Sequence, residues 1–304
     1  MEHIPVLLKE TLDILKPQDG ERVLDCTFGG GGHSRAILDS ANCYVCAIDR
    51  DPDAERRALE VKQLYGKRFD FIHTNFSQIS DLFREQQKFD AVLFDFGISS
   101  FQIDDAERGF SFSKDAILDM RMSKDGISAY DVINKFSEQE LADIIWTYGN
   151  EPRSRQIAYK ITKARSVAPI KTTLQLANIV RKTAKSPSTI KKYSKIDAAT
   201  KTFQAIRIFV NDELREIKEA LETLPKLLNN GAKIVTIAFH ALEDRVVKNW
   251  AKSKMHHVVP MNKSVIKPTT EEILLNPRSR SAVLRGFWYN EPGDRRKKSE
   301  DGIE

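Results

Sequence analysis

Cysteine is scarce in this chain, with Cys26, Cys43 and Cys46 the only three in 304 residues. That excludes a disulfide framework. Cys43 and Cys46 form a C-x-x-C, yet no second Cys or His pair accompanies them, and in a strand they would face opposite sides. Buried thiols in a reducing cytosol are expected. Long apolar runs are also missing: none approaches the roughly 18 residues a membrane helix needs. The opening Met1-Glu2-His3-Ile4-Pro5 has no basic stretch leading into an apolar core, so no signal peptide is expected. No Cys/His group has metal-ligand spacing, His256 and His257 being merely adjacent, and no metal is expected. A strong net charge is absent as well, at +5, but its distribution is uneven. Between Glu151 and Lys201 stand 13 Lys/Arg against two acids, Glu151 and Asp197, an excess of eleven that leaves the remainder at −6. One segment therefore carries a polyanion-binding signature.

What the chain does have is Val23-Leu24-Asp25-Cys26-Thr27-Phe28 followed by four glycines, Gly29 to Gly32, then His33 and Ser34. This reads as a buried strand, a tight turn that lets a ligand approach the backbone, and a helix N-terminus. A dinucleotide fingerprint would require glycine at positions one, three and six of its frame. Counted from Gly29 the sixth position is Ser34, so a nucleotide-like ligand is expected without the usual pyrophosphate geometry.

Further strands are expected at Tyr44–Ile48, ending in Asp49, at Phe69–His73, exiting through Asn75-Phe76, and at Phe89–Phe94, delivering Asp95. Helical stretches near 6–16, 52–65 and 78–87 connect them. Asp49 follows Gly29 by 20 residues, where a strand-end acid commonly takes ribose hydroxyls. The pattern predicts an open, mostly parallel α/β sheet. Its ligand would lie beyond the strand ends, among the glycine loop, Asp49, Phe76 and Asp95. Residues 96–126 read as a long, functional loop, and helices follow near 128–134, 138–147, 152–166 and 172–183. A long helix is expected over 200–228, bent near Pro225. The α/β rhythm resumes at 233–239 with His240 at its end, then a helix over 242–252 and a last strand over 282–289. A helical, basic insertion thus interrupts the α/β domain: 1–103 and 209–304 are expected to form the latter, and 104–208 the insertion. The basic tail Arg295-Arg296-Lys297-Lys298 is expected to be disordered.

Several stretches resemble one family closely: Gly31-Gly32-His33-Ser34, Asp95 to Asp104, Arg108 to Phe112, Leu118 to Met122, Thr202 to Ile208, Phe239 to Arg245 and Asn276 to Ser281. Together, in order from His3 to about Tyr289, they look like the bacterial 16S ribosomal RNA cytosine-N4 methyltransferase family, MraW. The resemblance implies a class I, Rossmann-like methyltransferase fold with a helical insertion that recognises substrate. It implies S-adenosylmethionine-dependent methylation of the exocyclic N4 of one cytidine near the decoding centre. The partner would be 16S rRNA in the small subunit, in the cytoplasm and away from membranes, with homodimerisation left open. Carried onto matching positions, the cofactor contacts are Gly31, Gly32, His33, Asp49, Phe76, Asp95 and Gln102, the last known only through the resemblance. The chain departs from the family at Asp197-Ala198, where His-Pro is usual, at Ala238 and Ala241 for serines, and at Ile117 for proline.

The N4 lone pair is delocalised into the ring, so a hydrogen-bond acceptor aimed at the amino group would aid transfer. Asp95 or a carbonyl of the Phe96–Ser99 loop could serve; alternatively Asp95 only binds the methionine end of the cofactor. Arg108, Lys182, Lys185, Lys191, Lys192 and His240 are the candidate RNA contacts. For each there is a plainer reading: Arg108 as a loop organiser, the lysines as a solvated face, His240 as a satisfied structural histidine. Competing functions are a DNA amino-methyltransferase and a non-catalytic RNA-binding assembly factor; a nicotinamide dehydrogenase conflicts with the failed glycine frame.

Overall fold

The apolar runs of the first third become parallel strands because both faces of their sheet are covered. The structure is a computed structural model and describes residues 4–83, 87–184 and 197–291. In chain order the first elements are α1 (Leu8–Leu15), β1 (Arg22–Asp25), α2 (Gly32–Ser40), β2 (Tyr44–Asp49), α3 (Ala54–Tyr65), β3 (Phe69–His73), α4 (Ile79–Leu82) and β4 (Phe89–Asp95). Along β4, Val92 and Phe94 enter one apolar cluster while Ala91 and Leu93 enter another. In β2, Cys46 and Ile48 alternate with Val45 and Ala47 in the same way. This two-residue alternation between two buried faces is why such strands read as continuous apolar runs. All three cysteines are free and buried, and Cys43 and Cys46 lie in different clusters. Burial pushes the Cys46 thiol up to about 12.

The chain forms two compact units, one of Met1–Gly97 with Leu214–Glu304, the other of Ile98–Glu213. The second unit holds α5 (Ser100–Asp104), α6 (Ala129–Lys135), α7 (Glu138–Gly149), α8 (Ser154–Arg165), α9 (Thr173–Ala184) and α10 (Thr200–Asn211). Its own core gathers Leu118, Met120, Val132, Ile133, Leu141, Ile145, Ile157, Leu176 and Ile206. Ser128 and Ser137 start α6 and α7 with capping boxes, each hydroxyl accepting from the amide three residues on. The stretch 96–126 is not structureless: it contains α5 and a 3-10 turn over Ala106–Arg108. The rest of it is ordered by distant side chains. Asn211 accepts from the Met122 amide and donates to the Met120 carbonyl, both at 2.7 Å.

The first unit is completed by α11 (Glu213–Thr223), β5 (Leu228–Ala238), α12 (Ala241–Ser253), β6 (Val258–Pro260), α13 (Thr270–Leu275) and β7 (Val283–Tyr289). The single helix expected over 200–228 is two, α10 and α11, parted at Asp212, whose φ of 50° is left-handed. Pro225 falls in a 3-10 turn after α11, not in a helix bend. The helix expected over 78–87 closes at Leu82. Among the described residues the sheet has seven strands in the order β3-β2-β1-β4-β5-β7-β6. β1 to β5 are mutually parallel and β7 runs antiparallel to β5 and β6. This is the open, mostly parallel α/β sheet that the sequence pattern predicts. Its order reverses between β1 and β4, so the switch point where such sheets hold ligands lies at their carboxyl ends.

Candidate functional site

Three neighbouring strands end in acids at this switch point: Asp25 on β1, Asp49 on β2 and Asp95 on β4. Asp25 is 1% exposed. It accepts from the Ser34 hydroxyl at 2.6 Å and the Thr27 amide at 3.1 Å. Burial pushes its carboxyl up to about 6 against those two hydrogen bonds, with the Asp49 charge adding to the rise. Asp49 is likewise raised by burial. Its Oδ2 accepts from the Gly29 amide at 2.7 Å and its Oδ1 from the Asp51 amide at 2.8 Å. A carboxylate offers about four lone-pair positions, so Asp49 retains capacity for ribose hydroxyls. Burial holds Asp95 well above the usual carboxylate range, and the charges of Asp25 and Glu243 push the same way. Its backbone amide donates to Thr27 Oγ1 at 2.7 Å, and its Oδ1 is buried with no hydrogen-bond partner.

The glycine loop is bent by two left-handed residues, Gly29 at φ 55° and Gly31 at φ 76°. A Cβ on Gly31 would stand 2.7 Å from the Phe28 ring, so both conformation and space require glycine there. The loop is held from both sides. Phe28 donates to the Ile48 carbonyl at 3.0 Å, and Arg57 Nε donates to the Gly29 carbonyl at 2.8 Å. His33, on the first turn of α2, is buried. Its Nε2 lies 3.1 Å from the Val6 carbonyl and its Nδ1 3.8 Å from Asp95 Oδ2. Phe76 packs edge-on against Phe94 and Phe96, at centroid distances of 5.9 and 6.2 Å, and remains partly exposed. It belongs to the core margin and to the strand exit at once.

Gly31, Gly32, His33, Asp49, Phe76 and Asp95 therefore all lie in the first unit, on the glycine loop and the strand exits. Asp25, Ser34 and Arg57 join them without having been singled out as site residues. An acid directly after the buried apolar pair Val23-Leu24 was the available signal for Asp25. Gln102 lies in the second unit, buried, where Oε1 accepts from the Ser99 amide and completes a capping box for α5. Arg108 is 6% exposed and donates from Nη2 to the carbonyls of Arg121 and Met122. His240 is the N-cap of α12, its Nδ1 accepting from the Glu243 amide. Lys182 is exposed in the last turn of α9. Lys185, Lys191 and Lys192 lie outside the described residues.

Part of the positive charge of the basic segment serves the helical unit itself. Arg165 donates to the carbonyls of Ile133 and Phe136, and Arg153 to that of Thr183. Arg181 pairs with Asp197 at 2.8 Å. Asp197 also accepts from the Ala199 amide before α10, which gives that departure from the family pattern a local structural use.

Three carboxyl groups raised by burial and one unpartnered carboxylate oxygen make a site that gains from a cationic, hydroxyl-bearing ligand. Sulfonium, ammonium and ribose hydroxyls are the groups of S-adenosylmethionine, so the residues present fit that cofactor. A methyltransferase that uses S-adenosylmethionine is the class that this site and the sheet order fit, and the family match establishes it. The chain belongs to the MraW methylase family, whose model matches residues 1–288. It is 48% identical over 302 residues to a protein of Rickettsia canadensis (strain McKiel), covering 93% of this chain and 96% of that one. It is 47% identical, with the same coverage, to a protein of Rickettsia massiliae (strain Mtu5). Both relatives carry the description ribosomal RNA small subunit methyltransferase H. Among the described residues, no helix is long and apolar enough to cross a membrane.

Proposed function

We propose that this protein methylates the exocyclic N4 of a cytidine in small-subunit ribosomal RNA, working in the cytoplasm on 16S rRNA within the subunit. The observation that carries the reading is Asp95, an acid at the switch point with one buried oxygen left without a partner. The names of the relatives support ribosomal RNA as the substrate class. When bound, S-adenosylmethionine supplies an activated methyl group on a sulfonium. The chain's residues do the rest. Asp49 takes ribose hydroxyls with its free lone pairs while its occupied ones brace the glycine loop. Gly31 and Gly32 keep the loop close to the ligand, and His33 stands beside Asp95. Phe76 offers the exposed part of its ring to the adenine.

Asp95 holds the cationic end of the cofactor or accepts a hydrogen bond from the target amino group. Accepting from that amino group would localise the nitrogen lone pair and orient it for transfer. The proton lost from nitrogen then passes to water. We assign the helical unit to substrate recognition, with Lys182, Lys185, Lys191 and Lys192 meeting RNA phosphates. Arg108 organises the loop, since its guanidinium is buried on carbonyls, and His240 and Gln102 cap helices.

Labelled S-adenosylmethionine incubated with the protein and either small ribosomal subunits or duplex DNA tests the reading. Label in the subunit's RNA and none in DNA is expected. Label in DNA alone would replace it with the DNA amino-methyltransferase alternative.

A further inference from the structure

The segment before α1 is held by contacts from several elements, and one of them is the glycine-loop helix α2. Val6 and Leu7 are 7% and 0% exposed. Leu7 has φ 52° and ψ 37°, a left-handed conformation that a branched L-residue adopts only when its surroundings impose it. Pro5 presses its ring onto Gly32, where a Cβ would fall inside van der Waals contact of the Pro5 Cγ. Two residues of the segment near α13 hold the strap from the other side. The Leu7 amide donates to Glu272 Oε1 at 2.8 Å, and Asn276 Nδ2 donates to the Ile4 carbonyl at 3.1 Å.

The Leu7 amide and the Val6 carbonyl belong to one peptide unit, and both of its ends are engaged. Its N–H meets Glu272, while its oxygen lies 3.1 Å from His33 Nε2. A carbonyl oxygen can only accept, so Nε2 carries the proton of that contact, and Nδ1 is turned to the other side of the ring. That nitrogen is the one 3.8 Å from Asp95 Oδ2. A carboxylate accepting from the N–H of a peptide polarises its C=O and strengthens the bond that the oxygen accepts.

We propose that Glu272 is a positioning residue for the cofactor site. Acting through the Val6–Leu7 peptide, it fixes the tautomer and orientation of His33 beside Asp95. The proposal rests on the reading of His33 and Asp95 as cofactor contacts. It makes the affinity for S-adenosylmethionine depend on a residue of α13, 177 positions beyond Asp95 in the sequence.

The test compares the full chain with Glu272→Gln, Glu272→Ala and Asp95→Ala, each checked for wild-type circular dichroism. S-adenosylmethionine binding is read by calorimetry and the His33 ring nitrogens by NMR. Glu272→Ala should weaken binding about tenfold, the scale of one charge-assisted hydrogen bond, and should shift the His33 ring nitrogens from their wild-type positions. Glu272→Gln still offers Oε1 to the Leu7 amide and should restore most of both. Unchanged binding in Glu272→Ala, or weakened binding with unchanged ring nitrogens, would overturn the relay while Asp95→Ala still loses the cofactor. Undiminished binding in Asp95→Ala would instead overturn the site on which the relay rests.

Discussion

Gly31→Ala is the substitution whose consequence the structure specifies most fully. Gly31 has φ 76°, where an alanine costs about 1–2 kcal/mol because its Cβ crowds the following carbonyl. The new Cβ would also stand 2.7 Å from Cε2 and Cζ of Phe28 and 3.3 Å from Val61 Cγ2. The Phe28 ring cannot swing away freely, since it packs against Phe69 at 5.7 Å and Phe71 at 5.3 Å between centroids. Forcing an extra methyl into such a contact costs about 1–3 kcal/mol. Together the two effects predict a loss of about 2–5 kcal/mol, a large part of a typical folding free energy. Urea unfolding followed through the buried Trp250, in the same unit, measures it. Calorimetry should show cofactor binding weakened in parallel, because Gly31 is also the N-cap of α2. A loss under about 1 kcal/mol with unchanged cofactor affinity would refute the account of the loop.

Three further outcomes follow from the charges. The folded pKa of Asp25, about 6, lies above its usual 3.8, so between those values the folded state binds more protons and stability falls as pH rises. Asp25→Asn, which keeps acceptors for Thr27 and a partner for Ser34, should remove a penalty of about 3 kcal/mol that is complete above pH 6. Denaturation from pH 4 to 7 should show the variant gaining on the wild type across that window, and parallel curves would contradict it. Asp95→Asn should weaken S-adenosylmethionine binding about 10- to 100-fold while retaining turnover within tenfold at saturating cofactor. A collapse at saturation would show instead that an ionised carboxylate is essential to transfer. Reversing Lys182, Lys185, Lys191 and Lys192 should flatten the salt dependence of RNA binding by about 0.7–0.9 per lost phosphate contact; an unchanged slope would remove the basic segment from the interface.

The strands were legible because burial on both faces leaves no polar interruption, as in Val45 to Ile48 and Ala91 to Phe94. The acids of the candidate site were legible for the same reason: they stand where those apolar runs stop. Asp25 was passed over because its partner Ser34 lies across the glycine loop, and only the fold brings the two to 2.6 Å. The break between α10 and α11 had only a weak local signal: Asp212 adopts φ 50°, a region that aspartate tolerates better than most residues but seldom enters. β6 is three residues ending in proline and exists through its pairing with β7. The order in 96–126 comes from Asn211, about 90 residues on in the chain, and from a buried Arg108 that bonds carbonyls 13 and 14 residues further along. Gln102 is a candidate cofactor contact through the resemblance alone, and its Oε1 accepts from the Ser99 amide in the capping box of α5.

The central claim is transfer to the N4 position of cytidine. Small subunits methylated by this protein with labelled S-adenosylmethionine can be digested to nucleosides, and the labelled nucleoside identified by mass spectrometry against standards. The label should be found as N4-methylcytidine, and Asp95→Ala should abolish it. Label at ring carbon 5, on a ribose oxygen or on another base would contradict it.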